Sequence, residues 1–313
     1  MRATGYLMIE TQEGVSWADW LALAARAEAA GFDGISVSDH YLSMVDEDRP
    51  VLDAWAVLAG LAAHTTRLRL GTLVSPVTFR HPAVLARLAT TVNEISGGRA
   101  FVGIGAGWFE REHEAFGFPF FDLQGRLSLL EEQAGIVHAL LAAEIVEHAG
   151  ASYRLDGGRS RGMTGGRVPI SLGGEARPRM ARLAARIADE YNVVFVEPET
   201  CVGARARLDQ ACRDAGRDPA TLAMTLMTRC VVGATAEQYR DRLARVLAIG
   251  GEAPPGPGDE ETWICGTVEQ ALARAEAFRD AGVTTLYLQH LDHGDGGMLE
   301  LLGERIVPAL QQG

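Results

Sequence analysis

Asp39 and His40 follow directly on Ile35-Ser36-Val37-Ser38, an alternation that reads as a strand, so a carboxylate and an imidazole stand side by side at a strand's C-terminal end. Histidine is the side chain best suited to proton exchange near neutral pH. Taken alone, the pair fits equally well a loop-capping Asp beside an incidental His. Further on, Gly71-Thr72-Leu73-Val74-Ser75-Pro76-Val77-Thr78-Phe79-Arg80-His81-Pro82 crowds two prolines and a glycine into one turn. That turn is either ordinary punctuation or a rigid stretch of backbone suited to lie close to a flat ring.

Three more stretches could carry chemistry. Gly103-Ile104-Gly105-Ala106-Gly107-Trp108 has alternate glycines but not the spacing of a dinucleotide-binding loop. The acid-rich continuation Glu110-Arg111-Glu112-His113-Glu114 reads as a solvated helix face. Gly173-Gly174-Glu175-Ala176 stands between a strand and a helix, where free amides make an anion site that Arg177 and Arg179 could reinforce, or else a plain glycine turn. His290-Leu291-Asp292-His293 could ligate a metal for hydrolysis, but no His-x-His stands at the end of the first strand, and no metal site is expected. The chain has no lysine, so Schiff-base or lysine general-base chemistry is excluded.

These segments need a frame that brings strand ends together. Short β-rich runs alternate with helical patterns: strands at 5–9, 34–38, 68–74, 100–105, 168–172, 191–196, 222–232 and 285–288. Ser16 with Asp19, and Thr267 with Gln270, form capping boxes; Pro82 suits a first helical turn, and Gly31 and Gly97 suit helix C-termini. A helix at 53–64 precedes the third strand, one at about 127–141 interrupts the long 106–165 stretch, and Met180, Leu183, Ala184 and Ile187 stripe a further helix. Eight strands in alternation favour a closed α/β architecture, a (β/α)₈ TIM barrel spanning residues 1–313 as one domain, with insertions after strands 4 and 7. The second insertion, 250–262, is dense in Gly and Pro and reads as a mobile loop. Active-site groups should then gather at the C-terminal strand ends.

Composition narrows the function. The 313 residues exceed the roughly 250 that such a barrel needs. A formal charge of −12 argues against a nucleic-acid partner and for a small-molecule ligand. The four cysteines form no CxxC pair, which fits a reducing cytoplasm. The opening MRATGYLMIETQEG carries no apolar run of signal-peptide length, and no stretch approaches about 20 uninterrupted apolar residues, so no membrane partner is expected.

In order along the chain, Ser38-Asp39-His40, Gly71-Thr72 through Thr78-Phe79-Arg80-His81-Pro82, Gly103 to Trp108, and Gly173-Gly174 resemble the luciferase-like monooxygenase superfamily. The Asp-His pair is similar to its branch that uses the deazaflavin coenzyme F420. That resemblance implies a homodimeric oxidoreductase transferring a hydride between F420 and an organic small molecule. It implies His40 at the redox-active face, with Asp39, Leu73, Val74, Ser75 and Ala106 around the ring. Gly173 and Gly174 would hold a phosphate, and a non-prolyl cis peptide would fall near Leu73–Val74. The alternative within the fold is a monooxygenase using reduced FMN and oxygen; a metal-dependent hydrolase using His290, Asp292 and His293 is weaker. Sugar-phosphate dehydrogenases of this branch carry a Glu where this chain has Trp108, and they use lysines on the phosphate, which argues against such a substrate here.

Overall fold

The computed structural model describes residues 4–160, 162, 165–250 and 259–312. Eight parallel strands form its centre: β1 (Thr4–Ile9), β2 (Gly34–Val37), β3 (Arg69–Thr72), β4 (Ala100–Gly105), β5 (Ile170–Gly173), β6 (Glu190–Val194), β7 (Ala223–Gly233) and β8 (Thr285–Gln289). Each pairs with its sequence neighbours. β8 pairs with β1 (Tyr287 opposite Tyr6), and β6 pairs with β7 (Val193 opposite Leu226), so the sheet closes on itself. The expected (β/α)₈ barrel is therefore the fold.

Eight helices wrap it: α1 (Trp17–Ala29), α2 (Ala54–His64), α3 (Pro82–Ser96), α4 (Leu123–Leu141), α5 (Pro178–Ile187), α6 (Pro198–Asp214), α7 (Ala236–Gly250) and α8 (Val268–Asp280). Both expected capping boxes are present, Ser16 with Asp19 and Thr267 with Gln270. Pro82 opens α3 and Gly97 closes it in the left-handed region, at φ +70°. Alternation divides the apolar residues into two cores. Residues such as Ile35, Val37, Val102, Ile104 and Leu226 face the helices, whereas Tyr6, Met8, Leu73, Phe101, Met227 and Tyr287 fill the barrel itself.

The structure adds elements within the insertions. The first insertion holds a seven-residue helix at Glu110–Phe116, and α4 begins at Leu123 rather than 127 because the Asp122 carboxylate caps the amide of Gly125. It then forms an antiparallel hairpin, Val146–Ala149 with Arg154–Gly158. Both hairpin strands are largely exposed, so neither carries the apolar run that marks a barrel strand. In the second insertion residues 251–258 lie outside the described residues; past them, Ile264–Thr267 pairs alongside β7. Among the described residues no helix is long and apolar enough to cross a membrane.

Candidate active site at the barrel mouth

The C-terminal end of β2 is fixed from both sides. Ser38 accepts from the Thr11 amide (2.9 Å) and donates to Gln12 Oε1 (2.6 Å), tying it to the end of β1. Asp39 next to it is buried. Its Oδ2 accepts from Ser75 Oγ at 2.6 Å and from Arg80 Nη1 at 2.5 Å. Arg80 also donates to Asp53 Oδ2 (2.8 Å), and the indole of Trp55 donates to Ser75 Oγ (3.0 Å). This carboxylate therefore braces the β3 loop and the start of α2.

His40 turns the other way. Its Nδ1 lies 2.8 Å from Glu112 Oε1, while Glu112 Oε2 accepts the Tyr41 amide at 3.0 Å. Glu112 is wholly buried, and a buried carboxylate must be paired. With Nδ1–H donating to Glu112, Nε2, which has no partner within the described residues, is the nitrogen left to exchange a proton. Burial alone would disfavour the imidazolium. The hydrogen bond and charge of Glu112, joined by Glu10 and Asp39, outweigh it and hold the His40 pKa above its ordinary value. The ring stands edge-on to Trp108 (5.9 Å) and Phe109 (6.2 Å).

Glu112 was not legible as a site residue. Its helix turns Glu110, Arg111 and Glu114 to solvent as expected, but Glu112 and His113 are both 0% exposed. His113 bridges the Phe109 carbonyl (2.7 Å) and Thr78 Oγ1 (2.7 Å), seating the helix on the β3 loop. The available signal was the aromatic run that follows. Phe118 packs on Tyr41 (5.1 Å) and Phe79 (4.8 Å), and Phe120 packs on His113 (4.7 Å).

Between these walls lies an apolar platform. The Leu73–Val74 peptide is cis, at the position the resemblance implies. The Val74 methyls rest on glycine: a Cβ at Gly105 would fall 2.4 Å from Val74 Cγ2, and one at Gly103 would fall 2.9 Å from Cγ1. Only glycine at these strand ends leaves room for the Val74 methyls. Ala106 is half-buried beside them. At the end of β5, a Cβ at Gly173 would meet Val74 Cγ1 at 3.5 Å, ordinary contact.

Gly174, at φ +143°, donates its amide to the Asn192 carbonyl (3.0 Å), and the Ala176 amide donates to Tyr191 Oη (3.0 Å). The free-amide reading of this turn is therefore corrected: those two donors are spent on β6. The uncapped amides are those that open α5, where Arg177 makes no side-chain cap. They border a cavity of about 590 Å³ lined by Glu175, Arg177, Pro178, Val194, Thr200 and Arg207.

His290, Asp292 and His293 do not assemble as ligands. Asp292 pairs with Arg245 (2.8 Å) and the two imidazole rings are 6.3 Å apart. Burial, with His293 nearby, pushes His290 down to about 3. Among the described residues no three His, Cys, Asp or Glu side chains converge as a metal needs.

With this geometry in place, the chain can be compared with known proteins. The sequence profile of the luciferase-like monooxygenase family matches residues 4–285. The chain belongs to the luciferase-like monooxygenase family. This luciferase-like chain is 31% identical over 196 residues to a 5,10-methylenetetrahydromethanopterin reductase of Methanolobus tindarius, covering 63% of itself and 56% of that relative. It is 33% identical over 171 residues to an F420-dependent glucose-6-phosphate dehydrogenase of Nakamurella multipartita, covering 54% and 50%. The chain thus spans about half the length of the curated relatives it matches. Among solved structures it resembles an F420-dependent secondary alcohol dehydrogenase in complex with an F420-acetone adduct. The TM-score is 0.83, with 22% identity over 99% of both chains. A type II Baeyer-Villiger monooxygenase from Pseudomonas putida in complex with FMN gives a TM-score of 0.75, with 17% identity over 98% of this chain and 99% of the other. At these identities the structural likenesses speak to the barrel alone.

Proposed function

We propose that this chain is an oxidoreductase exchanging a hydride between coenzyme F420 and an organic small molecule. The observation that carries the reading is His40, held by buried Glu112 with Nε2 left unpaired at the barrel mouth. The curated relatives named as reductase and F420-dependent dehydrogenase support it. The mouth suits a flat ring system, because glycine strand ends carry the Val74 platform where a Cβ would collide. When bound, the deazaflavin supplies hydride chemistry at C5.

Apart from Glu112, the parts of the residues are those the family resemblance implies. Leu73 and Val74 back the ring, with Ser75 and Ala106 at its edge. Asp39 acts through the wall it braces, by holding Ser75 and Arg80 in place. Gly173 and Gly174 allow the phosphate-bearing chain to approach, while the α5 N-terminus supplies amide donors. His40 is the catalytic residue: its Nε2 gives a proton to, or takes one from, the substrate oxygen. Glu112 is the positioning residue that fixes the tautomer and favours the protonated ring.

The test is a parallel titration of F420 and FMN into wild type and Asp39→Ala. Wild type should quench deazaflavin fluorescence, with weaker quenching in the variant. Tight FMN binding without deazaflavin quenching, together with oxygen consumption on reduced FMN, would replace this reading with the flavin monooxygenase one. Four free thiols support a cytoplasmic setting. Exposed Val84 and Ile95 along α3 support a homodimer, which light scattering would show as twice the chain mass.

A further inference from the structure

Trp108 is 62% exposed, unusual for the largest apolar side chain standing beside a proton donor. It is nonetheless held in place. One face stacks on Phe109 (5.4 Å, 29° between planes), and the indole meets the His40 ring edge-on. A flat surface is thus presented next to the unpaired Nε2. Loop 41–52, tied to the same short helix by Arg111 and Glu47, adds exposed Met44 and Val45.

The charges around this surface select against an anion. Among the described residues, the arginines around Trp108 and His40 are paired: Arg80 to Asp39 and Asp53, Arg49 to Glu13, and Arg111 to Glu47. Arg229 lies over Trp263 and reaches Gln289. No lysine exists to replace them. The buried acids here are Glu10 and Asp39 after strands β1 and β2, and Glu112 on the short helix. Beside Trp108, away from the α5 N-terminus, a phosphate dianion would find no clamp and would face like charge, at a steep desolvation cost.

We infer that the substrate is an uncharged, flat, conjugated carbonyl compound, an α,β-unsaturated ketone or quinone, that stacks on Trp108 with its oxygen at His40 Nε2. This rests on the hydride-transfer reading. A hydride adds to the β-carbon, the C=C pair shifts to join the α-carbon to the carbonyl carbon, and the C=O π pair moves onto oxygen, giving an enolate. The proton on Nε2 then joins that oxygen and is restored to His40 from water. The substrate gains two electrons, and reduced F420 is the two-electron donor.

The experiment measures equilibrium binding of 2-acetonaphthone, an uncharged flat aromatic ketone, and of glucose 6-phosphate to wild type, Trp108→Ala and Trp108→Phe. Each titration is run with and without saturating F420. The ketone should bind wild type, lose roughly tenfold in Trp108→Ala and change little in Trp108→Phe, as stacking on a ring requires. Glucose 6-phosphate should not saturate. The exposed position of Trp108 keeps all three proteins folded, which circular dichroism verifies. Ketone binding that ignores Trp108 in both conditions, or saturable glucose 6-phosphate binding of similar strength, overturns the inference. Failure of F420 to bind wild type overturns the hydride-transfer reading instead and leaves a Trp108-dependent ketone titration standing.

Discussion

Each end of the barrel holds a glutamate, wholly buried at the mouth and mostly so at the floor, and the two sites behave differently because of their partners. At the floor, Glu190 Oε2 accepts from Tyr287 Oη (2.9 Å) and Oε1 stands 3.8 Å from Arg69 Nη1, with the Arg69 guanidinium over the Phe101 ring. At the mouth, Glu112 accepts from His40 and the Tyr41 amide. Arginine stays charged at every accessible pH, and burial pushes neighbouring Tyr6 up to about 12. Burial raises the Glu190 pKa against the pull of Arg69, but with its two oxygens engaged by Tyr287 and Arg69 the floor offers no open group and serves as a plug. The mouth pairs its carboxylate with a ring that titrates and keeps a second nitrogen open. Reactivity here comes from that choice of partner rather than from burying charge.

The largest effect should come from removing the open nitrogen's ring. His40→Gln should lower kcat/KM by about 10²–10⁴, the usual worth of a positioned proton donor, while F420 affinity stays within a few-fold; stopped-flow reoxidation of reduced F420 reads the first and fluorescence quenching the second. At the floor, Glu190→Ala should leave turnover per folded molecule intact. It should cost about 2 kcal/mol in urea unfolding, less than a fully buried pair, because Arg69 is 38% exposed and can be rehydrated. A folded Glu190→Ala protein without turnover would erase the distinction between the two ends.

Glu112→Gln sharpens the comparison through pH. The His40 pKa in the folded chain lies above its unfolded value, so the His40–Glu112 contact stabilises fully below about 6.5 and is lost as pH rises through the folded value. The glutamine still accepts hydrogen bonds but brings no charge. Wild type should therefore lose more stability than Glu112→Gln between pH 6 and 9, and the His40 pKa, followed by NMR, should fall in the variant. Equal pH dependence in both proteins would show that Glu112 does not hold the proton.

How far the sequence reached follows the same physical lines. Barrel strands such as Ala100–Gly105 were legible because burial on both faces demands an unbroken apolar or glycine run. The Ser16 and Thr267 caps were legible because both partners lie within one helical turn. His40 could be found at a strand end, but Glu112 could not, since its partner lies 72 residues away and its neighbours Glu110 and Arg111 make the segment look solvated. Gly174 was found and misread: its glycine signal was real, but the acceptor that takes its amide, the Asn192 carbonyl, belongs to the next strand. Ile264–Thr267 was too short for periodicity to separate from its flanking loop.

The smallest effect tests the floor alone. Tyr287→Phe keeps the ring that packs with Tyr6 at 4.9 Å and removes only the hydroxyl that donates to Glu190. Since Arg69 still faces the carboxylate, the loss should be that of one hydrogen bond, about 1 kcal/mol. It should be no smaller at pH 9 than at pH 6, because burial raises the Glu190 pKa while the Tyr287 hydroxyl favours its charged form. Paired urea melts at the two pH values measure this directly. A smaller loss at pH 9 than at pH 6 would mean that the hydroxyl does not stabilise the Glu190 carboxylate, and the plug would then rest on Arg69 and ring packing alone.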